Sequence, residues 1–422
     1  MKHFMFTAAI VLSATVATLA GQQPIPFDLA VKELADQNAD VRLRAAKMLR
    51  DSAYPEAAVP LATAVADPSD DVQLEAIAAE LNIFMAEKVT ARKRNGAVAS
   101  AGEEAFSRGA LAVSARPVPT DVLTALRVAA RDENNRVATE AVYAFGELAG
   151  AATGSTRRAL LRVSAPDLAA LLGGTDPRLR VAAARAIGRL FAPRPGDDPV
   201  DMALGDALIS TLNDSNRTVV ENAMRALGDL RYERSVQGLT ELFRHYEKGE
   251  LAVAALDSLA RIAHRSSAPV FASQLDSKTP ALRISAIEGL VRIGDRSALT
   301  QIESARGGSR NDAVQLAEAF ASTMLGAGAA DAVADALGKA RLHDQAKQYM
   351  IEIARTRPGD FTRLTSDPDA SRRAELAEIL GLTDSPAALP AAETLAKDPA
   401  PNVSQAAQRA VERLKAASTR PS

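Results

Sequence analysis

The sequence predicts an all-α fold, a superhelix of roughly ten to eleven stacked helical hairpins, on three observations. A motif recurs at steps of about 30–42 residues, the period of helical-repeat arrays. Alanine supplies 88 of the 422 residues, whereas Phe and Tyr together supply 16, a composition for closely packed helices rather than sheets. Apolar residues recur at three- and four-residue steps within each copy, as along Val181, Ala184, Ile187, Gly188 and Leu190, which marks one face of a helix. Cysteine is absent, so disulfides, thiolate metal sites, iron–sulfur clusters and a cysteine nucleophile are excluded. The 50 basic and 52 acidic side chains are interspersed and leave a formal charge of −2, with no global pull toward nucleic acid or acidic lipid.

In chain order, residues 1–20 read as a signal peptide. Lys2 and His3 precede an apolar run from Phe4 to Ala20 that ends Thr18-Leu19-Ala20. Cleavage is expected after Ala20, with export to the periplasm or outside the cell. The run is 17 residues long and diluted by Ser and Thr, short of the ~20 strongly apolar residues of a spanning helix. No integral membrane segment is therefore expected after cleavage. Residues 21–91 hold the first repeats, with weak copies at Asn38–Arg42 and Asp71-Val72. Residues 92–119 break the rhythm with Arg92-Lys93-Arg94, several Gly and Ala, and a Pro117-Val118-Pro119 exit. This stretch is expected to be an irregular insert or linker, a degenerate repeat in essence; a loop carrying part of a binding site is the alternative. The array then continues through residues 120–418, and the tail beyond Ser418 is expected to fray.

The strongest copies read DENNRVATEAVYAFGEL from Asp132, DPRLRVAAARAIGRL from Asp176 and DSNRTVVENAMRALGDL from Asp214. Asp67, Asp176, Asp367 and Asp398 each precede a proline. That order places an N-cap acceptor before a residue favoured in the first helical turn. Glycine inside a helix costs roughly 1 kcal/mol against alanine, so its return at Gly146, Gly188 and Gly228 points to a packing requirement. Shorter apolar segments precede these helices: 59–66, 167–172, 235–243 and 389–396. Neither helix of such a hairpin buries its apolar stripe alone, so successive hairpins share one elongated core.

The Asp-Pro start followed by Val, with a trailing Ala-[Leu/Ile]-Gly-x-Leu, resembles the HEAT repeat. The shorter copies, such as Ala387–Pro390 leading to Asp398-Pro399, resemble the bilin-lyase-type HEAT-like subgroup. The resemblance covers nearly everything after residue 28. It implies an armadillo-like α-solenoid that binds other macromolecules, and it does not transfer a reaction. It also implies a ladder of Asp/Arg pairs between neighbouring units, for which Arg42, Arg136, Arg180, Arg217 and Arg283 are the candidates. In this family the second helices line the inner curve. Tyr143, Glu147, Arg185, Arg189, Arg225, Asp229, Arg261, Glu288 and Arg292 then project into the groove as the candidate partner-binding set, its arginines suited to carboxylates.

Motifs of chemistry are missing. Gly307–Asn311 fails the hydrolase elbow Gly-x-Ser-x-Gly at its last position. Gly326-Ala327-Gly328 lacks the third glycine and the strand of a dinucleotide fingerprint, and Gly338-Lys339-Ala340 lacks the hydroxyl of a phosphate loop. His245, His264 and His343 have no second histidine three or four residues away, so no metal site is expected. No catalytic residue and no cofactor are assigned. The expected function is a non-catalytic exported scaffold that binds a protein or peptide in its concave groove. One alternative is a bilin-lyase-like enzyme or assembly factor, favoured by the shorter repeats and opposed by the leader. The other is a nucleic-acid binder similar to the HEAT-like DNA glycosylases, opposed by the negative, tryptophan-free chain.

Overall fold

The structure, a computed structural model, describes residues 26–418 apart from 91, 95–96, 109–112, 115, 195–196, 306–309, 327 and 329. The expected leader, its cleavage point, and the glycines of the 307–309 segment lie outside the described residues. Helices come in pairs. They are α1 (Phe27–Glu33) with α2 (Ala39–Ser52), and α3 (Ala58–Ala64) with α4 (Asp70–Phe84). After a two-stranded hairpin, β1 (Arg92–Arg94) and β2 (Ala97–Ala99), comes α5 (Ala101–Ser107). The pairs resume with α6 (Thr120–Ala129) and α7 (Asn135–Gly150), then α8 (Gly154–Leu171) and α9 (Pro177–Phe191). Next are α10 (Met202–Thr211) and α11 (Arg217–Asp229), then α12 (Val236–Tyr246) and α13 (Glu250–Ile262). They are followed by α14 (Ala268–Ala272) and α15 (Pro280–Ile293), then α16 (Ser297–Ala305) and α17 (Asp312–Leu325). The series closes with α18 (Asp331–Ala336) and α19 (His343–Thr356), a 3-10 segment (Pro358–Ser366) with α20 (Ala370–Leu382), and α21 (Leu389–Leu395) with α22 (Pro401–Ser418).

The all-α solenoid expected from the repeats is the observed architecture. One continuous core runs from Ala30 to Leu414. From α7 to α17 the second helices touch one another along their length, while the first helices touch their neighbours more sparingly. The array therefore curves with its second helices inside. Close approach within that inner layer explains the recurring glycines. A Cβ on Gly228 would stand 2.8 Å from the Cα of Ser258, and one on Gly188 would stand 3.3 Å from the Cα of Ala226. The curve is tight enough for the end to return toward the beginning. Arg409, Glu412 and Arg413 of α22 border a cavity of about 300 Å3 together with Arg116, Leu148 and Thr153.

The helix starts correct one detail of the sequence reading. Only Asp176 caps its helix directly, accepting the backbone N–H of Arg178 at 2.8 Å with Pro177 in the first turn. Asp67, Asp367 and Asp398 stand three residues before their helices begin. Each accepts the N–H two residues on, at 2.8, 2.8 and 2.9 Å. The cap itself passes to a later residue, and Asn38, Asn134, Asn216 and Asp369 fill it with their side chains.

Two of those turn-closing aspartates, Asp67 and Asp398, also accept from an arginine of the preceding unit. Arg42 forks onto Asp67 at 2.6 and 2.8 Å, and Arg180 onto Asp214 at 2.7 and 3.0 Å. Arg373, absent from the sequence-based set, forks onto Asp398 at 2.6 and 2.9 Å. Each of these arginines is the fourth residue of its helix. Arg283, also fourth, reaches Glu318 and the carbonyl of Ala305 instead. Arg136 and Arg217 are not rungs. They are the second and first residues of α7 and α11, about 100° per residue off the rung direction. Arg217 lies instead over the Tyr246 ring of the next unit, 6.0 Å from its centroid. In α4 the fourth residue is Gln73, which donates to Asp132 at 2.9 Å in place of an arginine.

Candidate functional site

The inner wall is built from α7, α9, α11, α13 and α15, and it does bring the sequence-predicted residues onto one surface. Most of them are engaged within the chain. Glu147 is fully buried and pairs through one oxygen with Arg189, one layer on. Its other oxygen has no hydrogen-bond partner. Burial raises its carboxyl to about 7 against the opposing pull of Arg189. Arg185 donates to the hydroxyl of the buried Tyr143 at 3.1 Å and to Glu103 at 3.2 Å.

Farther along, Arg261 bridges Asp229 at 2.6 Å and Asp257 at 3.0 Å. Burial lowers the Arg261 pKa, but those two carboxylates outweigh it and hold the group above its ordinary range. Burial raises Asp229 against the attraction of Arg261. Arg292 likewise joins Glu288 at 3.1 Å to Glu352 at 2.7 Å, and Tyr349 donates to Glu288 at 2.6 Å. Arg225 is the open member of the set, more than half exposed and paired only with Glu221 one turn back.

Two elements that the periodicity did not mark account for the part of this engagement at Arg185 and Arg292. Helix α5, from the stretch read as an insert, lies on α7 within the inner layer. The amide of Gly102 donates to Glu140 at 2.8 Å. The ring of Phe106 lies 3.8 Å from the Arg189 guanidinium and 5.3 Å from that of Arg185, as cation–π contacts. Helix α19 crosses opposite α15 and supplies Glu352 and Tyr349. An amphipathic signal in Glu103, Glu104 and Phe106 was available in the sequence, but no repeat offset pointed to its landing place.

Between and beside these covers the wall is open. A cavity of about 1030 Å3 spans the first turns of α7, α9 and α11 and is bordered by α5. Asn135, Arg136, Arg178, Arg185 and Asn222 face it, together with Glu133. A second cavity, of about 430 Å3, separates Asp229, Arg261 and Arg292 from Lys347 and Arg355 of α19. Among the described residues no group of three His, Asp or Glu comes together to hold a metal. His343 meets Glu375 at 2.6 Å, His264 meets Ser266 at 2.7 Å, and His245 packs edge-on to Tyr246.

Residues 165–251, from the end of α8 into α13, match the family model for HEAT repeats. Among solved structures, an engineered protein is similar over 92% of this chain and 98% of its own, with 18% identity and a TM-score of 0.43. No curated protein matches the sequence.

Proposed function

We propose that this chain, a HEAT-repeat scaffold, is non-catalytic and holds a segment of a protein partner in the groove lined by α7, α9 and α11, after export by its leader. The observation that carries the reading is the cavity of about 1030 Å3 on the inner wall. Its floor is stiffened by the pairs behind it, and its rim presents amides and guanidinium groups. Asn135 and Asn222 offer both donors and acceptors to a peptide backbone, while Arg136 and Arg178 offer forks to carboxylates. Tyr143, Glu147, Glu288 and Arg292 act in this scheme by holding the wall in shape, while Arg185 and Arg225 remain within reach of a ligand. Among the described residues no helix is long and apolar enough to cross a membrane.

A photo-crosslinking residue placed at Arg178, on the inner wall, is expected to capture the partner in cells. The same residue at Glu241, exposed on the outer helix α12, is expected to capture nothing in common with it. Identical captures from both faces would remove the groove from the proposal.

A further inference from the structure

Residues 193–194 and 197–201, between α9 and α10, form with α8 and the end of α11 a separate cavity of about 570 Å3. That volume lies within the ~300–1,000 Å3 of small-molecule sites. Its apolar side is made by Leu161, Phe191, Leu230 and Tyr232. Its polar side holds Arg158, Arg162, Arg194 and Arg231 against Asp197, Asp198 and Asp201.

Every one of those carboxylates already has a claimant. Arg157, itself buried behind the wall, clamps Asp197 at 3.0 Å. Asp201 caps α10 by accepting from Ala203 and Leu204 at 2.8 and 3.2 Å, and Asp198 faces Arg162 at 3.6 Å. Arg194 spends its guanidinium on the carbonyls of Gly150 and Ala152, at the end of α7. Among the described residues, Arg158 and Arg231 are left with no hydrogen bond or ion pair from their side chains. Both cations border the apolar pocket without a bonded counter-ion.

Arg231 also closes its helix. It sits at φ 50°, in the left-handed conformation, just past the end of α11. Its N–H bonds the carbonyl of Gly228, and that of Tyr232 bonds the carbonyl of Leu227. This closing turn favours glycine. Left-handed residues also follow α15 (Gly294), α2 (Ala53), α13 (Ala263) and α20 (Asp384). Glycine at this position would keep the backbone and remove only the long side chain.

We infer that this cavity binds a small amphiphilic carboxylate, its apolar body against Leu161, Phe191 and Leu230 and its carboxylate between Arg158 and Arg231. Burial first, and then the neighbouring Arg355, hold the Arg231 guanidinium below its ordinary range against the pull of Glu352. The site is bordered by the edge of the array and does not depend on a partner in the groove.

Calorimetric titration of the full chain with decanoate tests it. One decanoate is expected to bind per chain, with decanol weaker by about tenfold or more because it lacks the charge-assisted fork. R231G and R158Q are each expected to lose about tenfold in decanoate affinity. R231G restores the residue its turn prefers, so its melting temperature is not expected to fall, which separates binding from folding. Arg231 also borders the cavity on the α19 side, so L161Q serves to locate the ligand and is expected to weaken decanoate as well. Equal binding of decanol, unchanged affinity in R231G, or unchanged affinity in L161Q overturns the inference. So does binding of a leucine-ended tripeptide acid by a chain that ignores decanoate, because the pocket would then take a chain end instead.

Discussion

The outer edge of the array and its inner wall use the same chemistry, arginine against carboxylate, in opposite ways. At the edge each rung is one arginine on one aspartate, set by a fixed helix position and repeated at Arg42, Arg180 and Arg373. On the inner wall one arginine serves two carboxylates. Arg261 lies between Asp229 and Asp257, and Arg292 between Glu288 and Glu352. The edge is solved within one repeat step. The wall adds to such neighbour contacts chain that returns from elsewhere, α5 on one side and α19 on the other. Repetition thus secures the stack, and departures from repetition shape the surface that meets a ligand.

The harshest way to break this contrast is to spread the inner layer itself. Gly228→Val would drive its Cβ into the Ser258 backbone, 2.8 Å away, where no flexible side chain can yield. A loss of about 3 kcal/mol or more is expected, at the upper end of overpacking costs, with faster amide exchange in α11 and α13. Gly150→Ala is the control. Its new methyl meets only Arg189 carbons at 3.9 Å, and helix propensity favours it by up to about 1 kcal/mol. If both variants unfold alike, close layer spacing is not what these glycines provide.

The next test separates wall from edge by pH. The folded pKa of Glu147 is about 7, above its ordinary 4.5. The folded protein therefore holds this proton more tightly than the unfolded chain does. Its contribution is complete below about pH 4.5 and is lost as pH rises through about 7, by at most about 3 kcal/mol at 1.36 kcal/mol per unit. Glu80, Glu140 and Glu288 are raised by burial too and slope the same way, so the readout is a difference. Stability measured from pH 4.5 to 8 should fall more steeply in the parent than in E147Q. The edge works with the opposite sign. The Asp214 carboxyl is held low by its bond from Arg180, so its contribution is lost only as pH falls through its depressed pKa. Parallel curves for E147Q and parent would mean Glu147 is ionised throughout.

Much of this was legible in the sequence. The hairpins, the packing role of Gly188 and Gly228, and the shared surface of Arg185, Asp229 and Arg261 all follow from periodicity, because period reports which face of a helix is buried. What period cannot report is which distant segment lies on that face. Glu352 is 60 residues from its arginine, and Glu103 is 82 from Arg185. Nothing in the local pattern sets those distances. The short α8 segment read at 167–172 is likewise the end of an 18-residue helix with Pro166 inside it, since proline marks a start more often than an interior. The ladder shows the finest limit, for a shift of two positions within the first turn was enough to misassign Arg136.

That shift supplies the smallest and sharpest prediction. Arg180 and Arg136 lie near the starts of consecutive second helices, yet only Arg180 is the fourth residue of its helix. Arg180→Ala removes the fork to Asp214 and the bonds to the carbonyls of Gly174 and Thr175. It leaves a mostly buried aspartate with its turn-closing bond alone, a loss of about 2 kcal/mol, and exchange should quicken at the α9–α11 junction. Arg136→Ala removes a cavity-lining cation that bears no rung, so its effect is expected within about 0.5 kcal/mol, as for a surface site. Its consequence should appear instead in capture of the partner at the inner wall. Equal destabilisation by the two changes would mean that neighbourhood, rather than helix register, decides which arginines bind the layers together.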